Sequence, residues 1–178
     1  EAINSENVSS IVELATWSYP GTRSASSIVF NSSGELFVAG LTDGAIGIWS
    51  TDYRSLIGEI TGHQARLTDM DLSPTGRLLA TTSRDTTARI WFIGRNGIDE
   101  QAKNVLTVDS EFTIEAVRFS PDGRLLATGD GMNRVNVWQV SSGKRLNFRT
   151  LTEDEDARFF VSGLDFSPDG TLLAASST

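Results

Sequence analysis

An all-β fold, a β-propeller of four-stranded antiparallel blades, is predicted for this 178-residue chain by three observations. A Ser-Pro-x-Gly turn closes at Gly76, Gly123 and Gly170, with the degenerate Asn-Ser-Ser-Gly at Gly34, so the spacings are 42, 47 and 47. Trp49, Trp91 and Trp138 repeat the first two of those intervals. Short apolar or alternating runs, separated by turn residues, fill each interval. A period in the forties, with short strands and one tryptophan per unit, is the sequence signature of a propeller blade. About three full blades and a partial one are expected, hence an incomplete ring.

Residues 1–10 are polar and aperiodic and read as a linker or frayed end; residues 11–178 read as the propeller segment. Ile11 to Leu14 could form a short strand. Ala15 to Ala25 holds Pro20-Gly21 and reads as a loop, in which Trp17 and Tyr19 either pack on the next blade or touch a ligand. The first unit, about 26–60, has runs at Ser27–Phe30, Leu36–Ala39, Ala45–Trp49 and Leu56–Ile60, with turns at Asn31–Gly34 and Thr42–Gly44. The second, about 66–108, uses Leu67–Leu72, Leu78–Thr82, Thr87–Ile93 and Val105–Val108; its third connection, Gly94 to Asn104, reads as a long loop. The third, about 113–151, uses Ile114–Phe119, Leu125–Thr128, Val135–Val140 and Arg145–Leu151, and the extra length moves to Thr152–Arg158. The fourth, about 160–178, has Val161–Phe166 and Leu172–Ser176. Many runs are apolar without clean alternation because both faces of a blade must be covered by its neighbours.

Composition narrows the function classes. With 39% apolar and 21% charged residues the chain is an ordinary globular one. It has no apolar run of eighteen residues, and its first twenty residues lack the basic start and apolar core of a signal peptide. A cytoplasmic location is expected, with the nucleus as alternative. The Asn-x-Ser triplets at Asn7 and Asn31 carry meaning only in a secreted chain. A net charge of −8 argues against nucleic acid and anionic membranes, since phosphate contacts need clustered Lys and Arg; a basic protein or peptide is the better electrostatic match.

Catalytic chemistry finds no residues to carry it. The absence of cysteine removes disulfides, thiol nucleophiles and thiolate metal sites, and one histidine cannot build a triad with spare ligands or a zinc site. No catalytic residue, metal or cofactor is expected. Glu153, Asp154, Glu155 and Asp156 crowd four acids together, but adjacent acids on a polar loop are solvated more often than catalytic, and the alternation and glycine of a calcium loop are missing. Gly40, Gly44 and Gly47 lie in a hairpin without the strand-to-helix context of a phosphate cradle. Ser73, Ser120 and Ser167 precede proline as in phosphorylation sites, yet their recurrence in the repeat reads as turn chemistry.

The second unit carries a specific resemblance. Gly62-His63, Ser73-Pro74-Thr75-Gly76, Ser83-x-Asp85 and Trp91 fall in the order of a WD-repeat β-propeller, and the chain from about Ile11 onward resembles that family. The resemblance implies four antiparallel strands per blade, with each sequence repeat spanning the outer strand of one blade and the inner three of the next. It also implies a hydrogen-bonded tetrad, matched by His63, Thr81 or Ser83, Asp85 and Trp91. A buried Asp needs donors, which an imidazole and an indole can supply. The other units keep partial sets: Asp43 and Trp49 with Ala39 in place of the hydroxyl, and Thr128 and Trp138 with Met132 at the Asp position and Asp130 displaced by two.

The resemblance further implies that the loops entering each first strand and those joining second and third strands share one face. Residues matching them are Arg66, Arg84, Asp109, Glu111, Phe112 and Met132, together with the acidic run Glu153 to Asp156, Arg158 and Phe159. The expected function is a non-catalytic platform for a protein or peptide within a multiprotein complex. The alternatives are a sensor or regulatory propeller in a larger enzyme or nucleotide-switch protein, and a purely structural set of blades in a complex. Because the fourth unit stops before its third strand, the chain is expected to be part of a larger ring of about seven blades, completed by further residues or another chain.

Overall fold

The computed structural model describes residues 23–94, 97–107, 112–151 and 159–178. Strand follows strand, and the turns dictate where each reverses. β1 (Ala25–Phe30), β2 (Leu36–Leu41), β3 (Ile46–Ser50) and β4 (Ser55–Ile60) form one antiparallel sheet in chain order. β5 (Leu67–Leu72), β6 (Leu78–Ser83), β7 (Thr87–Gly94) and β8 (Gly97–Thr107) form the next, and β9 (Ile114–Phe119), β10 (Leu125–Asp130), β11 (Arg134–Gln139) and β12 (Arg145–Thr150) a third. β13 (Val161–Phe166) and β14 (Leu173–Ser177) pair as a two-stranded sheet. The fold is an all-β propeller segment of three full blades and a partial one.

One element differs from the sequence reading. Gly94 to Asn104 was expected as a loop, but pairing between β7 and β8 continues outward to Ile93 opposite Ile98 and Gly94 opposite Gly97. The length that stretches the repeat goes into longer outer pairing of β7 with β8, because ladder pairing uses backbone amides and carbonyls and needs no apolar periodicity to signal it in the sequence.

The repeated turns explain the period. Ser73 Oγ accepts the Leu78 N–H at 3.0 Å, Ser120 Oγ that of Leu125 at 2.9 Å and Ser167 Oγ that of Leu172 at 2.9 Å. In the degenerate first unit Asn31 Oδ1 does the same for Leu36 at 3.1 Å. The closing glycines Gly34, Gly76, Gly123 and Gly170 all have φ near +70°, where a Cβ is strained. The turns also stack: Gly76 lies over Asn31, Gly123 over Pro74 and Gly170 over Pro121, each blade on the one before it.

Apolar faces fill the junctions. Val38, Ile46 and Ile48 of blade one meet Leu67, Met70, Leu79 and Trp91 of blade two. Ala80, Ala88 and Ile90 of blade two meet Ile114, Val117, Leu126 and Trp138 of blade three, and Ala116, Ala127 and Val135 meet Val161 and Leu164 of blade four. Blades two and three thus turn their tryptophans toward the preceding blade. Phe37, Ala39 and Trp49 cluster on the corresponding face of blade one.

Two carboxylates tie the blade two to blade three junction at its inner edge. Asp69 accepts the Val117 N–H at 3.1 Å and Arg118 Nη1 at 2.9 Å, and Asp71 accepts the Phe119 N–H at 2.7 Å. β9 is an edge strand of its own sheet, so these amides have no ladder partner and the neighbouring blade supplies one.

Candidate functional site

The hydrogen-bonded network of blade two is assembled by strand register. Thr81 on β6 and Trp91 on β7 point to the same face, and His63 precedes β5 beside them. The Trp91 indole N–H donates to Thr81 Oγ1 at 2.8 Å, Thr81 Oγ1 lies 2.7 Å from His63 Nε2, and His63 Nδ1 lies 2.9 Å from Asp85 Oδ2. Donor logic orders the chain: the imidazole donates from Nδ1 to the carboxylate, the Thr81 hydroxyl donates to Nε2, and the hydroxyl oxygen accepts from the indole. Asp85 also accepts the backbone N–H groups of Gln64 and Thr87 and the Thr87 hydroxyl.

The structure corrects the expected acceptor. The indole reaches Thr81, and not Asp85, because the carboxylate sits in the turn beyond the strand while the hydroxyl lies on the strand next to the ring. Ser83 serves elsewhere: its hydroxyl donates to the Ala65 and Arg66 carbonyls at 2.9 and 3.1 Å and accepts the Asp85 N–H.

Burial sets the charges. It lowers the His63 pKa below 6.5, and Asp85 opposes the shift only in part, so the ring is neutral near pH 7. Burial alone would raise the Asp85 carboxyl, but hydrogen bonds from Thr87, Gln64 and His63 outweigh it and hold its pKa at about 2. Asp85, His63 and Thr81 stand in the order of an acid, base and hydroxyl nucleophile. Thr81 is fully buried and its oxygen is engaged by the indole, so no substrate can meet it.

The other blades solve the same problem with different residues. In blade three Trp138 donates to Thr128 at 3.0 Å. Met132, at the Asp85 position, is exposed, while Asp130, at the Ser83 position, is buried and accepts the Met132 and Arg134 N–H groups and Arg134 Nε at 2.8 Å. In blade one Asp43 caps its own turn through the Ala45 N–H and meets Arg23 Nε at 2.7 Å. Arg23 precedes β1 by two residues and was not singled out from sequence; the 42-residue spacing places Gly21 at the position of His63 and Arg23 at that of Ala65, so aligning the units does not point to it. Trp49, facing Ala39, stacks flat on Phe37 with ring centroids 5.2 Å apart and an interplanar angle of 2°.

The loops entering each first strand and the hairpin turns between second and third strands lie at one end of the blades. Arg84 N–H donates to the Arg66 carbonyl at 3.0 Å and Gly131 N–H to that of Thr113 at 2.8 Å, which clamps turn to entry loop. Gly44, with φ +89°, presses on the His63 and Ala65 carbonyls, so a Cβ there would stand 2.6 Å from an oxygen. On this end Arg66 and Arg84 are exposed, as are Phe112, Met132 and Phe159. The Arg134 guanidinium lies over the Phe112 ring at 6.0 Å. Phe160, also exposed, adds to this apolar surface and was not singled out from sequence. Asp109, Glu111, Glu153 to Asp156 and Arg158, with Ile11 to Leu14, Trp17 and Tyr19, lie outside the described residues.

Comparison with known proteins bears on all of this. Residues 13–50, 54–91, 102–139 and 148–178 match the family model described as the WD domain, G-beta repeat. The second of these matches runs from the start of outer strand β4 to Trp91, so each matched repeat is offset from the blade it mostly forms. A bromodomain and WD repeat-containing protein of Dictyostelium discoideum is 40% identical over 73 residues, covering 41% of this chain and 3% of that protein. A periodic tryptophan protein 2 homolog of Neurospora crassa is 37% identical over 79 residues, covering 44% of the chain and 9% of the relative. Eukaryotic translation initiation factor 3 subunit I of Aspergillus niger is 35% identical over 69 residues, covering 39% and 20%. The chain thus spans a small part of the length of these relatives.

Proposed function

The chain belongs to the WD-repeat family, and from that membership we propose that it is a non-catalytic scaffold, a propeller platform that holds a protein or peptide partner within a multiprotein complex. The observation that carries the reading is the exposed apolar set Phe112, Met132 and Phe159 on the turn end of the blades. Exposed aromatic and Met side chains on entry segments and a hairpin turn held by backbone hydrogen bonds are what interface centres use. A relative that is by name a subunit of an initiation factor supports membership in an assembly.

With a net charge of −8, the chain attracts a basic partner at long range. Charge reversal of Glu153, Asp154, Glu155 and Asp156 then slows association, and added salt slows it likewise. A cytoplasmic location, with the nucleus as the alternative, goes with this reading and is checked by imaging the tagged protein. The alternative of a propeller attached to another functional domain draws on the bromodomain-containing relative, and the full reading frame around this segment decides it.

The test replaces Phe112, Met132 and Phe159 together by serine and compares the proteins retained from cell extract by wild type and variant. Loss of a retained partner with an unchanged melting curve supports the assignment. Equal retention by the two folded proteins overturns it.

A further inference from the structure

Arg66, at the entry to β5, and Arg84, in the turn between β6 and β7, are exposed at the turn end of blade two. Among the described residues neither guanidinium has an ion-pair or side-chain hydrogen-bond partner. Their backbones are fixed all the same: the Arg84 N–H donates to the Arg66 carbonyl at 3.0 Å, and Ser83 Oγ donates to the same oxygen at 3.1 Å. Other arginines of this end close on a carboxylate. Arg23 meets Asp43 at 2.7 Å, Arg89 stands 3.9 Å from Asp85, and Arg134 meets Asp130 at 2.8 Å. Those contacts engage the acids of the hairpin turns of blades one, two and three, so the charge left unanswered on blade two is the positive charge of Arg66 and Arg84.

Blade three presents a different surface at the matching positions. The 47-residue spacing puts Thr113 at the place of Arg66 and Gly131 at that of Arg84. Phe112 leans over the bare backbone there, so that a Cβ on Gly131 would stand 3.6 Å from the Phe112 Cβ. Met132 follows in the same turn, and the two apolar side chains are 37% and 43% exposed. The Thr68 hydroxyl of β5 donates to the Ile114 carbonyl of β9, two residues below Arg66 on one strand and two below Phe112 on the other. That bond between blades sets the cationic and apolar patches side by side. Packed sheets lie about 10 Å apart and an extended chain rises about 3.3 Å per residue, so a segment laid across both patches needs its two kinds of group about three residues apart.

We propose that this end of blades two and three binds an extended acidic segment of a partner protein, with its carboxylates on Arg66 and Arg84 and a bulky apolar side chain about three residues away against Phe112 and Met132. A guanidinium offers a carboxylate two parallel N–H donors, and the apolar side chain covers surface that otherwise meets water. The proposal rests on the reading of the chain as a protein-interaction scaffold and names the chemistry of the segment it holds. The net charge of −8 governs how a whole partner approaches; the docked segment answers to the groups it touches, because salt screens the distant ones.

The probe is a display library of random dodecapeptides selected on the immobilised chain, with the enriched peptides then labelled and measured by fluorescence polarisation. Enriched sequences are expected to carry paired Asp or Glu with Phe, Trp or Leu about three residues away. Arg66→Glu together with Arg84→Glu weakens their binding about ten-fold or more without moving the melting curve, and added salt weakens binding to the wild type. Arg77→Glu, the same charge change at an exposed position on the other end of blade two, leaves binding as it is. Enriched peptides that lack acids, or that bind the double Arg variant as tightly as wild type, overturn the proposal; if the triple serine variant of Phe112, Met132 and Phe159 still loses them, the scaffold reading survives. Absence of any enriched peptide also overturns the proposal, and the cell-extract comparison then decides the scaffold reading separately.

Discussion

Thr81 is the residue on which the buried network of blade two turns, since one hydroxyl serves both the indole of Trp91 and the imidazole of His63. Thr81→Val keeps the shape and removes both bonds, leaving a buried donor and a buried acceptor unpaired at about 1–3 kcal/mol each. Calorimetry should show a larger loss than for Asp85→Ala, which leaves the indole satisfied; equal losses would contradict this ordering. The same network makes stability depend on pH. The His63 pKa is lowered by folding, so its contribution is full above 6.5 and falls away as acid protonates the unfolded chain first. Asp85, held at about 2 against 3.8, adds a second loss as pH falls through that interval. Denaturant midpoints that stay level from pH 7.5 to 5 would sink the first step. Thr86, a β-branched residue at φ +67°, stands where Gly44 and Asn133 stand in the neighbouring blades. Thr86→Gly should stabilise by about 1 kcal/mol, a rise of roughly 2–4 °C in Tm, and a lower Tm would show that its side-chain contacts outweigh the strain.

At the scale of strands, β5 and β9 show how two edge strands of different blades are held together. Asp69 and Asp71 are acids on an otherwise apolar run, LTDMDL, and each accepts an amide of β9. Burial raises the Asp71 pKa despite the hydrogen bond from Phe119 and the nearby Arg118. A carboxyl whose folded pKa is raised lowers stability above that pKa and ceases to do so on acidification. Asp71→Asn keeps an oxygen for the Phe119 N–H and removes the charge, so it should stabilise at pH 7 and lose the advantage near pH 3. Asp71→Ala removes the acceptor as well and should cost about 1 kcal/mol relative to Asn. If Asn and Ala melt alike at pH 7, the Phe119 bond contributes nothing.

For the whole molecule, comparison of equivalent positions identifies an uncovered face. Ile28 and Phe30 of β1 are 59% exposed, while at the place of Ile28 Met70 and Val117 are 3% and 0% exposed, and at the place of Phe30 Leu72 is half-buried and Phe119 is 6% exposed. Gly34 has nothing within 4 Å, while Gly76, Gly123 and Gly170 each rest on the turn of the preceding blade. In each later blade the preceding blade covers the position of Ile28, whereas among the described residues Ile28 itself is exposed. In isolation the 19.3 kDa chain should therefore associate, and Ile28→Glu with Phe30→Glu should reduce that association in sedimentation velocity with little change in melting. A compact, non-aggregating wild-type monomer at micromolar concentration would rule this out.

Period, turn type, blade content and the one-per-unit tryptophan follow from the sequence alone, because they depend on residues close along the chain: Ser73 to Leu78, Ser120 to Leu125. The interaction partners do not. The sequence left Thr81 and Ser83 as alternatives, made Asp85 the acceptor of the indole, treated Asp130 as a displaced remnant and read the outer hairpin of blade two as a loop. Strand register and the facing of each blade decide these, since a hydroxyl on one face of β6 meets the indole while one two residues on meets the entry loop. Only the packed blades bring His63 to Asp85, or Asp69 to Val117 from 48 residues away, and only they show which apolar side chains remain in water. Contacts between residues far apart in the chain are set by how two-faced sheets stack, and an isolated strand of sequence carries no record of which face its neighbour covers.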